Sequence, residues 1–225
     1  MRKFKFGREI NLLAAYPQSK RSAEDRSQSV TVKDRLLSRR FSKEYFDGSR
    51  NQGYGGYNYH PRFWQGAVKD LKKYYKLNSK SKILDIGCGK GFMLYDLKQL
   101  VPGISVTGID ISEYAIQNSP DEMKSFLQIG NAKQLPFADN SFDLVIAINT
   151  IHNLPLEDCF KALKEIERVS KKDKYIVVDA WETEEQKQKM IKWVLTGLTY
   201  FHTKDWKELF KLAGYTGDFY WFIVD

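Results

Sequence analysis

From Lys82 onward, short apolar runs alternate with longer stretches of helical periodicity. The runs at 83–86, 105–109, 126–129, 144–148 and 175–179 are short and rich in β-branched residues, which predicts strands. Residues 90–100, 112–118 and 157–170 place apolar positions three and four apart, which predicts helices. That rhythm predicts an α/β fold: a Rossmann-like, doubly wound, mostly parallel sheet of six or seven strands with helices on both faces. Beyond Ala180 the rhythm loosens into a charged helix at about 182–195, another at 203–213 and a final aromatic strand at 218–224. Either a further strand lies within 194–201 or the sheet is one strand short, and an open edge would invite dimerisation.

The first eighty residues read differently. Residues 17–30 are polar without periodicity and predict loop or disorder. A helix is predicted to begin at Thr31, capped with Asp34 three residues on, with Val32, Leu36, Leu37, Phe41 and Tyr45 on one side and Asp47-Gly48 as its stop. Residues 51–64, NQGYGGYNYHPRFW, interleave turn-formers with aromatics, and Pro61 suits the first turn of an entry helix with Trp64, Ala67, Val68, Leu71 and Tyr75 on its face. Three segments follow: a basic arm with one helix (1–50), a Tyr/Gly-rich lid with the entry helix (51–80), and a core (81–225).

Charge sharpens this division. The net +8 is not spread evenly: residues 1–50 hold 13 Lys/Arg against 6 Asp/Glu, and residues 51–225 hold 23 against 22. A nucleic-acid enzyme is expected to carry its basic stripe on the main domain, so the near-neutral core argues against a polymeric nucleic-acid substrate. No apolar run reaches the roughly 20 residues of a membrane span, and the N-terminus lacks the sustained apolar region of a signal peptide. Cys88 and Cys159 are too few for a disulfide framework or a thiolate cage, which suggests a reducing, cytoplasmic location.

The most informative stretch is ILDIGCGKG, residues 83–91. An apolar strand runs into Asp85 and then Gly87-x-Gly89-x-Gly91 at the head of a helix. Glycines permit a sharp turn and close approach of a ligand, and the helix start offers unpaired N–H groups. Asp110 closes the next strand in VTGIDIS, suited to accept from two ribose hydroxyls. The glycine spacing is not the G-x-G-x-x-G of dinucleotide enzymes. Asp85 would repel a pyrophosphate but suits the ammonium of an amino-acid ligand. The segment GNAKQLPFADNSFDLVIAINTIHNL follows at 130–154.

In these segments, over about residues 80–180, the chain resembles the class I S-adenosylmethionine-dependent methyltransferases. The resemblance implies S-adenosyl-L-methionine as cofactor and S-adenosyl-L-homocysteine as product. It implies that Asp85 and the loop of Gly87, Cys88, Gly89 and Gly91 hold the methionine moiety. Asp110 would bind the ribose, Ile111 would lie on the adenine face, and Asn131 and Ala132 would read the adenine edge. Asn131 stands where the family more often has Asp; its amide oxygen can still accept. Asn149 is expected to touch both cofactor and acceptor.

Aromatic faces favour a cationic sulfonium, so Tyr54, Tyr57, Tyr59, Arg62 and Trp64, with the helix before them, are expected to fold over the cofactor as a lid. A general base is needed only for an acceptor that holds its proton; His152 and then His60 are the expected catalytic groups. The motifs of base-amino, arginine, catechol-type and arsenite methyltransferases are missing: residues 149–152 read NTIH, and Asp179 is followed by Ala180. The expectation is therefore metal-independent transfer to an oxygen or nitrogen of a small-molecule acceptor by a monomer or homodimer, with no nucleic-acid or membrane partner. The alternatives are a macromolecule methyltransferase docking through its arm, and a non-catalytic cofactor-binding subunit.

Overall fold

The computed structural model describes residues 4–55 and 58–224. Its strands are β1 (Lys82–Ile86), β2 (Ser105–Asp110), β3 (Leu127–Ile129), β4 (Phe142–Ile148), β5 (Ser170–Trp181), β6 (Phe201–His202) and β7 (Asp218–Phe222). They form a sheet in the order β3-β2-β1-β4-β5, with β6 and β7 both pairing with β5, and every strand pairing is parallel. The order reverses between β1 and β4, and the crevice beyond their carboxyl ends is where open α/β sheets bind ligands.

Strand alternation divides the core in two. Ile83, Leu144, Ile146, Tyr175 and Val177 face α4 (Pro61–Tyr75) and α5 (Phe92–Leu100), through Val68, Leu71, Met93, Leu94 and Leu97. Leu84, Ile86, Val145, Ala147, Ile176 and Val178 face α7 (Leu156–Val169) and α9 (Thr203–Ala213), through Cys159, Leu163, Ile166, Trp206 and Phe210. This period-2 exchange of faces is the pattern of a sheet covered on both sides. Two shorter or more peripheral helices complete the core: α6 (Glu113–Gln117) after β2, and α8 (Glu184–Trp193) after β5.

The sheet does have a seventh strand, although β6 spans only two residues. The edge that the sequence left open is not free. Residues 8–10 of the arm pair with β7, the Ile10 amide donating to the Phe219 carbonyl at 2.9 Å and the Phe219 amide to the Arg8 carbonyl at 3.0 Å. Tyr175 pins the same segment: its hydroxyl donates to the Ile10 carbonyl at 3.1 Å and accepts from the Leu12 amide at 3.2 Å.

Two expectations for the arm need correction. Residues 17–30 are not simply loop: α1 (Ala23–Ser29) stands there, with Ser22 and Asp25 forming a capping box. Its hold is tertiary, Ala23 packing on Met190, Trp193 and Val194, which explains why no periodicity announced it. The single helix expected from Thr31 is two, α2 (Val32–Ser38) and α3 (Lys43–Asp47). The Thr31–Asp34 capping box forms as expected. The chain breaks at Phe41, which is left-handed at φ 49°, and Val32 and Leu36 stay exposed. By contrast, α4 starts at Pro61 and buries the predicted Ala67, Val68, Leu71 and Tyr75. Among the described residues no helix is long and apolar enough to cross a membrane.

Candidate active site

The glycine loop leaves β1 and turns back onto β2. The Gly87 and Cys88 amides donate to the Ile109 carbonyl at 2.7 and 3.2 Å, and the Gly91 amide closes the turn on the Cys88 carbonyl at 2.9 Å. Gly87, Gly89 and Gly91 all have positive φ, at 77°, 54° and 77°. The reasons for glycine differ. A Cβ on Gly87 would lie 2.1 Å from the Thr150 Oγ1, and one on Gly91 2.7 Å from a Leu127 methyl. At Gly89 the only neighbour within 4 Å would be the Phe46 ring, at 3.3 Å. Gly87 and Gly91 are thus closed by packing, whereas Gly89 presents bare backbone to the cleft.

Asp110 anchors this loop. Its carboxylate accepts from the Gly89 amide at 2.7 Å and from the Ser112 amide at 2.8 Å. With the Ile111 amide also acting on it, the carboxylate keeps acceptor capacity for a further donor. Asp85 is different: buried at the end of β1, it receives no hydrogen bond among the described residues. Burial, and then the neighbouring Asp110, push it up to about 8. A cation entering the cleft would offset both causes, so the site's chemistry fits the ammonium-bearing tail of S-adenosylmethionine.

The arm roofs the loop. The Lys90 ammonium lies 2.6 and 2.9 Å from the Asp47 carboxylate of α3, which also accepts from the Tyr114 hydroxyl at 2.6 Å. Ser112 donates its hydroxyl to the Phe41 carbonyl, and Phe46 lies on Gly89. Between roof and loop is a cavity of about 190 Å³ walled by Asp85, Gly87, Cys88, Gly89 and Ile148 and by the rings of Tyr16, Tyr45, Phe46, Tyr54, Trp64 and Phe92.

The structure brings some of the expected residues to this cavity and leaves others apart. Tyr54 and Trp64 line it. Tyr59 packs instead on Phe92 and Tyr95 and donates to Asp96 at 2.7 Å. Arg62 is exposed over Phe63, and Tyr57 lies outside the described residues. Ile111 is exposed beside Asp110, while Ala132 is buried in the core with Ile109 and Leu135. The Asn131 amide oxygen already accepts from the Lys133 amide at 3.1 Å. Asn149 follows β4 with a left-handed φ of 51°, exposed one residue beyond Ile148. The Cys88 thiol is pushed well above its ordinary value by burial and by Asp85 and Asp110, so it is no thiolate nucleophile.

Both histidines depart from the expected catalytic role. His60 is exposed, and its Nδ1 accepts from the Arg62 amide at 3.2 Å as the cap of α4. His152 is buried, its Nδ1 accepting from the Asp179 amide at 2.9 Å and its Nε2 lying 3.4 Å from the Asp179 carboxylate. Burial lowers it to about 3, far below the working range of a general base.

The sequence reading missed Tyr16, Tyr45, Phe46, Asp47, Lys90 and Phe92. Lys90 was legible in principle, since it stands inside the glycine motif. The arm residues were not, because no local pattern aims them at a loop more than forty positions away.

A family model described as "Methyltransferase domain" matches residues 77–214. A demethylmenaquinone methyltransferase of Staphylococcus aureus (strain JH9) is 40% identical over 96 residues, 40% of this chain and 39% of that protein. The match thus spans about two fifths of the curated relative's length. The YcgJ protein of Bacillus subtilis has a similar fold, with a TM-score of 0.52 at 19% identity, over 65% of this chain and 66% of that one. So does a putative methyltransferase of Bacillus halodurans C-125, with a TM-score of 0.51 at 18% identity, over 65% and 67%.

Proposed function

The chain belongs to the methyltransferase-domain family, S-adenosylmethionine-dependent enzymes of class I, and from that premise we propose that it methylates an oxygen or nitrogen of a small-molecule acceptor without a metal. The observation that carries the reading is the cavity in which the donor-free carboxylate of Asp85 faces an aromatic roof.

When bound, S-adenosylmethionine supplies a methyl group made electrophilic by its sulfonium. Asp85 holds the ammonium of the methionine tail. The Gly89 backbone lets the ligand approach without a side chain in the way. Asp110 keeps acceptor capacity for the ribose hydroxyls after serving the Gly89, Ser112 and Ile111 amides. Ile111 offers an apolar face to the adenine, with Asn131 and Ala132 at its edge, and Asn149 stands at the acceptor side. The rings of Tyr16, Tyr45, Phe46, Tyr54, Trp64 and Phe92 exclude water and favour a positive charge between them.

Alignment, which contributes roughly 7–11 kcal/mol in well-oriented reactions, is the main catalytic device. His60 caps a helix and His152 is buried against Asp179, so neither acts as base in this reading. Asp179 is engaged with His152 and followed by Ala180, which supports a metal-independent site. The similarity to an enzyme named for demethylmenaquinone, a small molecule, supports a small-molecule acceptor over a macromolecule.

Incubation of the protein with labelled methyl donor and a metabolite extract, followed by mass spectrometry, tests this. A labelled small product bearing the methyl on oxygen or nitrogen is expected. Label on carbon overturns the atom assignment, and label only in RNA or protein overturns the acceptor class.

A further inference from the structure

Arg26 buries all three nitrogens of its charged group without a hydrogen-bond partner among the described residues. Its side chain is 0% exposed, and Nε, Nη1 and Nη2 are all unpaired. The Cζ lies 4.7 Å from the Tyr54 ring centroid and 4.4 Å from that of Trp193. Those rings attract the cation through its face, but they cannot satisfy the N–H donors that project in its plane. A buried charge without its counter-ion is strongly destabilising, so the fold holds something here that is incomplete.

The surroundings lack what would complete it. Burial lowers Arg26 to about 10; the Tyr54 hydroxyl acts in the opposite direction, and the charges of Arg21, Arg50 and Arg35 add to the lowering. Among the described residues no carboxylate forms an ion pair or hydrogen bond with it. Glu24 is committed to Lys192 at 2.9 Å, Asp25 to the Ser22 cap, and Asp34 to Thr31 and Gln52. The missing partner is therefore an anion that the described residues do not supply.

The position indicates whose anion it is. Tyr54, which carries Arg26 on its ring, is also a wall of the cavity beside Asp85 and Gly87. Its hydroxyl accepts from the Leu195 amide at 2.8 Å, on the side of α8. The Arg50 guanidinium lies against Gly55, the next residue of the same wall. Arg26 thus stands one ring behind the cavity.

We propose that Arg26 reads an oxyanion, a carboxylate or phosphate, on the methyl acceptor. The Tyr54 ring swings aside to admit it, and Arg21 and Arg50 supply the attracting field. The guanidinium's paired N–H groups match two oxygens of either anion, which lysine could not do in the plane. This assignment rests on the methyl-transfer reading above and adds to it the acceptor's charge and the residue that reads it.

Calorimetry on the full chain tests the assignment. S-adenosylhomocysteine is titrated first, and then sodium benzoate or inorganic phosphate is titrated into the saturated complex. Saturable binding of at least one anion is expected, weakened at least tenfold in Arg26→Met while S-adenosylhomocysteine affinity stays within twofold. Benzoate alone assigns a carboxylate and phosphate alone a phosphoryl group. Since the substitution removes an unpaired buried charge, the melting temperature of the anion-free variant should equal or exceed that of the parent. A fall in melting temperature, or anion binding that is absent from the parent or unchanged in the variant, overturns the proposal. Arg26→Gln, which removes the charge but keeps an amide donor, provides a second comparison with the same expected outcomes. No heat for S-adenosylhomocysteine in the parent overturns the methyl-transfer reading itself, and this assignment with it.

Discussion

Asp47 of the arm and Lys90 of the glycine loop are joined by an ion pair of 2.6 Å, so the roof of the cavity is fastened to its floor. The ammonium is almost wholly buried and Asp47 accepts a second hydrogen bond from Tyr114. Arm docking and cofactor retention are therefore coupled. Replacing Asp47 with Asn removes a charge-assisted bond of about 1.5–3 kcal/mol, so S-adenosylhomocysteine affinity should fall by up to about 10- to 150-fold. Calorimetry measures this, and an unchanged affinity would show that the arm is a passive cover.

Asp85 predicts a proton release. Its folded value of about 8 lies above the ordinary carboxylate range, so at pH 7 the ligand-free protein holds a proton there that the unfolded chain does not. Between about pH 4 and 8 the native state binds more protons than the unfolded one, and stability falls as pH rises. An ammonium bound beside Asp85 reverses the shift and expels the proton. Binding of S-adenosylmethionine at pH 7 should release close to one proton, read from calorimetry in buffers of different ionisation heat. Asp85→Asn should abolish the release, flatten the pH slope of ligand-free stability and weaken cofactor binding.

His152 and Asp179 form a compensating pair. Burial lowers His152 to about 3 and raises Asp179 to about 7. Between about pH 4 and 6.5 the folded pair carries one proton, on Asp179, and the unfolded chain also carries one, on His152. Their linkages cancel. In His152→Gln the raised Asp179 acts alone, and stability should fall with rising pH from about 4 to 7. In Asp179→Asn the lowered His152 acts alone, and stability should rise with pH from about 3 to 6.5. Denaturant midpoints across that range would decide; parallel pH profiles in both variants would refute the pairing.

The glycines separate fold from site. Gly87→Ala places a Cβ 2.1 Å from the Thr150 hydroxyl at a φ of 77°. Left-handed strain of about 1–2 kcal/mol and overpacking of about 1–3 kcal/mol should lower the melting temperature markedly. Gly89→Ala meets only Phe46 at 3.3 Å, so it should cost about 1–2 kcal/mol of stability yet lose most cofactor affinity. Thermal melts with calorimetry test both, and equal stability losses would refute the distinction.

Much of this protein was written locally. The strands of the core, the helix at Pro61 and the loop of residues 87–91 follow from period-2 and helical spacing, from proline geometry and from glycines at positive φ, all properties of neighbouring residues. Asp85 and Asp110 were legible for the same reason, since each stands near the carboxyl end of a predicted strand.

A lid built from the arm's helix was expected from the sequence, but only the tertiary structure decided which residues fasten it. Nothing near Asp47 in the chain indicates Lys90, and nothing in the polar run around Arg26 indicates Trp193. The residues 8–10 that pair with β7 carry no strand pattern of their own, because their order comes from an edge already built by others. His152 shows the converse: its type suggested catalysis, but burial fixed it as a neutral partner of Asp179. Spacing encodes periodic structure, whereas burial and partnership depend on what the rest of the chain brings alongside.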